Sequence, residues 1–206
     1  GKDLVVSKTI SAKNVNEDIR NKAYTLNNKI DTHNDSWTQL GQDLVGDDDD
    51  YSGASVSLNA DGTILAIGAY QHNGSSTDKG RTRIYQYSSN NTWSQLGQDL
   101  LGDPIDYSGG SVSLSADGTI VAIGAYMHDG GKGRTRIYQY SSNTWFQLGQ
   151  DLVGDDVDNS GRSVSLSADG TIVAIGAPQY DVGRSNDDGG NTGSSRYSHI
   201  TGYLKG

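Results

Sequence analysis

The stretch SVSLSADGTIVAIGA at residues 163–177 is the clearest signal of the fold, because the chain repeats it. An identical stretch occupies residues 111–125, and a copy with two changes, SVSLNADGTILAIGA, occupies residues 55–69. Repetition at a period of roughly 50 residues is typical of propellers and solenoids, in which one unit cannot bury its apolar face alone. The sequence therefore predicts a repeat protein.

Each copy has the pattern of two strands joined by a tight turn. The letters SVSL alternate, so that Val112 and Leu114 share one face, whereas TIVAIGA is the continuous apolar run of a strand covered on both faces. Between them lie Asp117 and Gly118, and an Asp-Gly pair accepts the positive φ of a tight hairpin. We therefore predict that the Asp of each copy is a turn residue and not an acid of an active site.

Two further strand-like pieces complete each repeat, with WTQLGQDL before the stretch and RTRIYQY after it. Four short strands per repeat are the content of one propeller blade. We predict an all-β fold with three four-stranded, blade-like repeats at about residues 37–92, 93–144 and 145–206. Closed propellers have about four to eight blades. Three alternatives therefore stay open: a part of a longer propeller, assembly with copies of itself, or an open array.

The first 36 residues lie outside the propeller-like domain, which we assign to residues 37–206. DLVVSKTIS has the pattern of a short strand, and NVNE has the form of a capping box. Ile19, Ala23, Leu26 and Ile30 then recur at spacings of 4, 3 and 4, which predicts an amphipathic helix. Residues 1–36 are therefore an anchor or oligomerisation segment, or a segment that packs onto the repeats.

The composition excludes several classes of function. With 16 basic and 25 acidic residues the net charge is −9, which repels phosphate backbones, so we expect no nucleic-acid partner. No apolar run approaches the roughly 18 residues that span a bilayer, so we expect no membrane insertion. The chain has no cysteine, which excludes disulfides and thiolate catalysis.

Acidic loops precede the three copies of the stretch and are candidate cation sites. Their sequences are GDDDDYSG, GDPIDYSG and GDDVDNSG, and each keeps two Asp residues three positions apart. Crowded carboxylates can chelate Ca²⁺, which takes six to eight oxygen ligands, or they can cap a turn through hydrogen bonds. Both interpretations stay open, with Ca²⁺ as the one candidate cofactor, for Asp47, Asp50, Asp103, Asp106, Asp155 and Asp158.

An Arg-x-Arg pair begins the last strand-like piece of the first two repeats. This spacing places both guanidinium groups on one face of a strand, together with a tyrosine two positions further on. Such a stripe suits the binding of sugars or carboxylates, because a guanidinium group is a planar fork of donors and aromatic rings stack. The other interpretation is pairing with the neighbouring acidic loops across blades. The candidate binding residues are Arg81, Arg83, Tyr85, Arg134, Arg136 and Tyr138.

Other recurring residues indicate structure and not catalysis. Trp37, Trp93 and Trp145 occur once per repeat, and we predict that they anchor the packing of strands. The four histidines form no catalytic set, and the sequence has no Gly-x-Ser-x-Gly, His-Glu-x-x-His or Walker motif. We therefore predict that the protein is not an enzyme.

The sequence SADGTIVAIGA followed by GRTRIYQY resembles the integrin-α-type FG-GAP repeat of β-propellers. Similar arrays occur in marine microbial and viral surface proteins, and LVVSKTISA is similar to attachment segments of phage tail fibres. The integrin calcium loop, Asp-x-Asp-x-Asp-Gly-x-x-Asp, follows none of the copies of AIGA. The resemblance implies an extracellular location, on a cell surface or a virion.

The resemblance also implies a structural or adhesion module, whose repeat loops recognise a glycan or a protein. The expected partners are copies of the chain itself or other surface or virion proteins. Two alternatives stay open. One is a carbohydrate-active enzyme that uses a pair of loop carboxylates. The other is a purely structural subunit of a fibre or shell, joined through unpaired strand edges.

Overall fold

A computed structural model describes residues 37–72, 78–155 and 157–179, together with the backbone of residues 199–204. The chain divides into two units, residues 1–39 and residues 40–206. The strand and the amphipathic helix predicted within residues 1–36 lie outside the described residues. Within the described ranges, no helix has both the length and the apolar character needed to cross a membrane.

The described strands form antiparallel sheets in which strands that follow each other in the chain pair with each other. The first sheet contains β1 (Ser52–Leu58), β2 (Ile64–Ala69), β3 (Arg81–Ser88) and β4 (Thr92–Gln95), and β5 (Leu100–Leu101) also pairs with β3. The second sheet contains β6 (Ser108–Leu114), β7 (Ile120–Ala125), β8 (Arg134–Ser141) and β9 (Thr144–Val153). The third sheet contains β10 (Ser163–Leu166), β11 (Ile172–Ala177) and β12 (His199–Leu204), and a helical turn at His128–Gly131 precedes β8. The all-β prediction is confirmed, while the number of blades stays a prediction.

The strand that contains the tryptophan ends a sheet and does not begin one. Trp93 on β4 lies opposite Tyr87 of β3, and Trp145 on β9 lies opposite Tyr140 of β8. The sequence repeat, which begins at the tryptophan, is therefore offset by one strand from the sheet that it helps to build. Residues 37–42 correspond in sequence to β4 and β9, but they belong to no strand of the described structure.

The predicted Asp-Gly turns are confirmed. The Asp117 carboxylate accepts hydrogen bonds from the hydroxyl of Ser115 at 2.6 Å and from the backbone N–H of Thr119 at 2.9 Å. These hydrogen bonds hold the pKa of Asp117 below its usual range. Gly118 has a φ of 71°, a conformation that a residue with a Cβ atom adopts only at a cost.

Apolar side chains of neighbouring sheets pack against each other. Val112 and Leu114 of β6 join Ala66 and Ile84 of the first sheet in one buried cluster. A second cluster joins Ala122 of β7 to residues of β11. Burial of apolar surface is the main favourable contribution to folding, so the sheets stabilise one another face to face.

Serines of the repeated stretch connect the sheets through hydrogen bonds. The hydroxyl oxygen of Ser57 accepts a hydrogen bond from the backbone N–H of Leu114 at 3.0 Å. Ser113 makes the same contact with Leu166 of the third sheet, at 2.9 Å. Both sheet interfaces therefore have the same polar contact at the same position, which accounts for the serines between the apolar residues of SVSL.

Candidate functional site

The second Asp of each acidic loop closes the loop on itself. Its carboxylate accepts a hydrogen bond from the backbone N–H three residues earlier, at 3.1 Å for Asp50, 2.9 Å for Asp106 and 3.0 Å for Asp158. All three side chains are buried. This is the turn-capping role that the sequence allowed for these residues.

A buried arginine joins the two carboxylates in each of the first two loops. The Arg134 guanidinium donates to Asp103 at 2.8 Å and also donates to Asp106. Arg81 makes the same two contacts in the preceding loop, at 2.7 and 2.8 Å. The first arginine of each Arg-x-Arg pair therefore contacts the acidic loop of its own sheet. The alternative to ligand binding was pairing with acidic loops across blades, so the partners are acidic loops as expected, but they belong to the same sheet.

The second arginine of each pair lies at the edge of the same network. Arg136 donates to Asp151 at 2.9 Å, and Arg83 donates to Asp99 at 3.3 Å. Burial alone would raise the pKa of Asp151, but hydrogen bonds from Arg136 and Gln147 outweigh burial and lower that pKa to about 2. A carboxyl group with this pKa is ionised at any physiological pH, so Asp151 carries the negative charge that pairs with Arg136.

The tyrosines of the predicted stripe are half-buried. Tyr85 and Tyr138 lie two residues after the second arginine, on β3 and β8. Burial raises the pKa of Tyr138, whose ring packs against the first apolar cluster. Because the first arginine of each pair is buried, only Arg83 and Arg136 present part of the guanidinium group to solvent. Ligand binding by this stripe stays a prediction.

Two histidines that the sequence left without a role lie beside the same carboxylates. Nδ1 of His128 is 2.8 Å from a carboxylate oxygen of Asp106. In each of the first two acidic loops, the ligand atoms of the two Asp residues lie within 4.8 Å of one another and of a histidine nitrogen, from His72 or His128. A bound cation would have to compete with the arginine that already donates to both carboxylates, and Ca²⁺ prefers oxygen ligands to imidazole nitrogen. The Ca²⁺ site stays a prediction.

A row of tyrosine rings lies next to these loops, and no sequence prediction included it. We call it the tyrosine ladder; it consists of Tyr51, Tyr70, Tyr107 and Tyr126. The ring centroids are 5.4 Å apart for the first pair, 5.9 Å for the second and 5.7 Å for the third, whose rings are nearly parallel at 11°. At the end of the row, the guanidinium carbon of Arg162 lies 4.2 Å from the centroid of the Tyr126 ring.

The repeat itself builds the tyrosine ladder. Tyr51 and Tyr107 each follow the second Asp of an acidic loop, and Tyr70 and Tyr126 each follow AIGA. In both hairpins the neighbouring residues are paired, since Ser52 lies opposite Ala69 and Ser108 lies opposite Ala125. Each sheet therefore brings two tyrosines together, and adjacent sheets continue the row. The recurrence of tyrosine at these two positions is the sequence signal that could have drawn attention to it, although the contact between the sheets depends on the fold.

The backbone under the tyrosine ladder is held in an uncommon conformation. Tyr51 and Tyr107 have φ values of 53° and 52°, and Ile105 has a φ of 64°. A β-branched residue such as Ile105 rarely adopts this region, and residues in such conformations cluster at functional sites. A hydrogen bond to Asp78 and burial raise the pKa of Tyr107, which fixes the ring from its hydroxyl end. The backbone conformation and this hydrogen bond therefore restrict the position of the Tyr107 ring.

One sequence family matches part of the chain. Residues 115–143 match the family described as "Domain of unknown function (DUF5122) beta-propeller". Together with the antiparallel sheets, this match indicates a β-propeller fold. The FG-GAP type of propeller stays a prediction, and no curated protein matches the chain.

Solved structures resemble the chain at low sequence identity. It is similar to Kuenenia stuttgartiensis hydrazine synthase, with 10% identity and a TM-score of 0.42 over 71% of this chain and 34% of that one. It is also similar to TolB from Acinetobacter baumannii, with 14% identity and a TM-score of 0.39 over 73% of this chain and 31% of that one. The chain spans about a third of the length of these two proteins, and similarity at this level transfers no function.

Proposed function

We propose that this protein is a non-enzymatic recognition module of a cell surface or virion, and that its tyrosine ladder binds a glycan chain. The observation that carries the proposal is the continuous row of rings from Tyr51 to Tyr126, which crosses from one sheet to the next. Aromatic rings combine a large apolar surface with a polar tip, which suits the apolar faces and hydroxyl groups of sugars. A repeated row of rings matches a ligand that is itself a repeat.

The surroundings of the tyrosine ladder favour a neutral glycan. The chain carries a net charge of −9, which repels acidic polysaccharides. Arg162 at one end offers hydrogen-bond donors, and Asp78 beside Tyr107 offers acceptor oxygens. Sugar hydroxyl groups donate and accept hydrogen bonds, so they can satisfy both side chains.

The loop carboxylates support a binding role over hydrolysis of the glycan. A general acid in a glycosidase needs a raised pKa so that it is protonated near neutral pH. The pKa of Asp47 is lowered instead, because the Arg81 guanidinium donates a hydrogen bond to it and adds a positive charge. A carboxylate in this state cannot protonate a leaving group.

The test is a screen of the whole chain on an array of immobilised neutral and acidic oligosaccharides. We expect binding to a neutral class, and titration calorimetry with the oligosaccharide so identified then gives the affinity. Tyr51→Ala should weaken binding about tenfold, or 1.4 kcal/mol, while Tyr51→Phe should keep the affinity because it keeps the ring. Tyr51 is more than half exposed, so neither change should disturb the fold.

Phe146→Ala serves as the matched control, because Phe146 is an equally exposed aromatic residue that lies outside the tyrosine ladder. Its loss should leave the affinity unchanged. Binding to none of the oligosaccharides, or an equal loss of affinity in Tyr51→Ala and Phe146→Ala, would contradict the proposal. Release of shortened sugars during incubation would contradict the non-enzymatic role.

A further inference from the structure

The first strand of the first sheet exposes two apolar residues. Their counterparts in the second sheet are buried where that sheet packs against the first. Val112 and Leu114 of β6 are 8% and 7% exposed. Their counterparts in β1, Val56 and Leu58, are 62% and 57% exposed. The first sheet therefore has the same docking surface as the second, with no sheet of the described residues packed on it. We call this surface the head face; it consists of Gly53, Val56, Leu58 and Gly62.

The third sheet exposes an isoleucine whose counterparts in the first two sheets pack against a glycine turn of the following sheet. A Cβ atom on Gly118 would lie 2.6 Å from Cδ1 of Ile64, and a Cβ atom on Gly170 would lie 2.6 Å from Cδ1 of Ile120. Each glycine turn is therefore packed tightly against an isoleucine of the preceding sheet. The next isoleucine in this series, Ile172, is 48% exposed, and Gly62, the glycine of the head face, has no described atom within 4 Å of its Cβ position.

A contact made by tryptophan also connects neighbouring repeats, and one position for it is unfilled among the described residues. Trp145 donates its indole N–H to the carbonyl oxygen of Leu96 at 2.8 Å, and the Gln98 amide both accepts from its backbone N–H and donates to its carbonyl oxygen. We call residues 96–98 a tryptophan seat; residues 40–42 form the same seat for Trp93.

The corresponding residues 148–150 hold no tryptophan. Among the described residues, nothing lies within 4 Å of the Cβ position of Gly149, and Gln150 is exposed. A Cβ atom on its counterpart Gly97 would lie 2.6 Å from the Trp145 ring. At the other end of the series, Trp37 is fully exposed. We call Ile172 and the seat at residues 148–150 the tail face.

We propose that a second copy of this chain docks its head face on the tail face of the first, just as successive sheets dock within one chain. Ile172 of the first copy then packs on Gly62 of the second. Trp37 of the second copy fills the seat at residues 148–150 of the first. The partner is another copy because a copy supplies both what Ile172 requires, the glycine turn of its head face, and what the seat at residues 148–150 requires, its Trp37. Equivalents of both contacts occur twice within the chain.

This contact is head-to-tail, so it gives a closed ring where the rotation from copy to copy closes and an open filament where it does not. Two copies supply six sheets, within the range of about four to eight blades in closed propellers. Assembly goes beyond the proposed glycan binding, because the tyrosine ladder is not part of the head face or the tail face.

Sedimentation velocity on the whole chain tests the proposal through one substitution on each face. Leu58→Asp blocks the head face, and Ile172→Asp blocks the tail face. We expect the unsubstituted protein to sediment as an oligomer of its 21.9 kDa chain and each variant alone to be monomeric. A mixture of the two variants should form a one-to-one dimer, since one intact head then meets one intact tail. A contact between two identical surfaces could not be blocked by each substitution alone and restored when the two variants are mixed.

Ile105→Asp is the control for loss of an exposed apolar side chain, because Asp49 occupies the same loop position in the first repeat. It should keep the oligomer, and Trp37→Ala should weaken the oligomer at least tenfold. A monomeric unsubstituted protein, or a mixture of the two blocked variants that stays monomeric, overturns the proposal. Glycan binding by the monomeric variants is measured in parallel, so that failure of assembly and failure of recognition are told apart.

Discussion

Trp145 and Leu96 join the last strands of two successive sheets, because the indole N–H of Trp145 donates to the carbonyl oxygen of Leu96 at 2.8 Å. Gln98 adds two hydrogen bonds to the backbone of the same tryptophan. The Gln98 side chain thus bonds to both backbone groups of Trp145, as a neighbouring strand would. This contact lies in the loop that follows the last long strand of the first sheet. Sheets are connected here by side chains next to the last strand of each sheet and by serines and apolar residues of the first strands.

Gly97→Ala should destabilise the chain by about 2 to 4 kcal/mol. Gly97 has a φ of 78°, and a new Cβ atom would also collide with Trp145. Gly149→Ala is the control, because Gly149 has a φ of 68° but no described neighbour within 4 Å of its Cβ position. It should cost only the conformational penalty of about 1 kcal/mol.

Urea unfolding of both glycine variants in the Ile172→Asp background, which we expect to be monomeric, gives the two free energies. The difference between them measures the packing of Trp145 in its seat. Equal losses of stability in Gly97→Ala and Gly149→Ala would mean that the tryptophan seat contributes nothing.

Arg134→Met should cost about 3 to 5 kcal/mol in the free energy of unfolding. Arg134 is buried, and its removal leaves the buried Asp106 carboxylate without the arginine that neutralises it. Arg136→Met, two residues further along β8, removes a partly exposed ion pair with Asp151 and should cost about 1 kcal/mol or less. Thermal and urea unfolding of both variants checks this order, which the reverse ranking would contradict.

Stability should fall as the pH is lowered from about 4 to about 2, and Asp151 contributes to that fall. Burial opposes ionisation of Asp151, yet hydrogen bonds from Arg136 and Gln147 lower its pKa to about 2 in the folded state. The unfolded chain therefore binds the proton first, so the stabilisation is complete above the unfolded pKa and is lost as the pH falls through the folded pKa.

Between about pH 4 and pH 2, the free energy of unfolding of Asp151→Asn should fall less than that of the unsubstituted chain. The difference should be about 1 kcal/mol after allowance for solvent screening. Urea unfolding at a series of pH values, compared with the unsubstituted chain, gives the two curves. Parallel curves would show that Asp151 titrates alike in the folded and unfolded states.

Ser113→Ala should destabilise the interface between the second and third sheets by about 1 to 3 kcal/mol. The substitution leaves the backbone N–H of Leu166 without its acceptor. Ser165→Ala changes the equivalent serine of the third sheet, which is exposed, and it should be nearly neutral in the Ile172→Asp background. Equal effects of the two substitutions on urea unfolding would argue against the serine contact as a link between sheets.

The local structure was predictable from the sequence wherever neighbouring residues determine it. The Asp-Gly turns and the strands on either side of them follow from backbone preference and from alternation of apolar residues, both of which operate within a few residues. Pairing of the arginines with acidic loops was open as an alternative, but it was expected across blades; the contact of Arg81 with Asp47 within one sheet, and the burial of Arg81, depend on tertiary packing.

Two features could not be predicted because they depend on which residues the fold brings together. A repeat can be divided at any point along its length, so the sequence did not reveal that Trp93 closes a sheet instead of opening one. The tyrosine ladder joins rings from loops that are far apart in the chain, such as Tyr70 and Tyr107, and no local pattern specifies that contact.

The decisive measurement is nuclear magnetic resonance of the tyrosine ring protons during titration with a neutral oligosaccharide that binds on the array. Glycan binding by the tyrosine ladder predicts saturable shifts at Tyr51, Tyr70, Tyr107 and Tyr126. It predicts none at Tyr87 and Tyr140, whose rings pack on Trp93 and Trp145. Shifts confined to Tyr87 and Tyr140, or no saturable shift at the tyrosine ladder, would contradict recognition of a glycan by this surface.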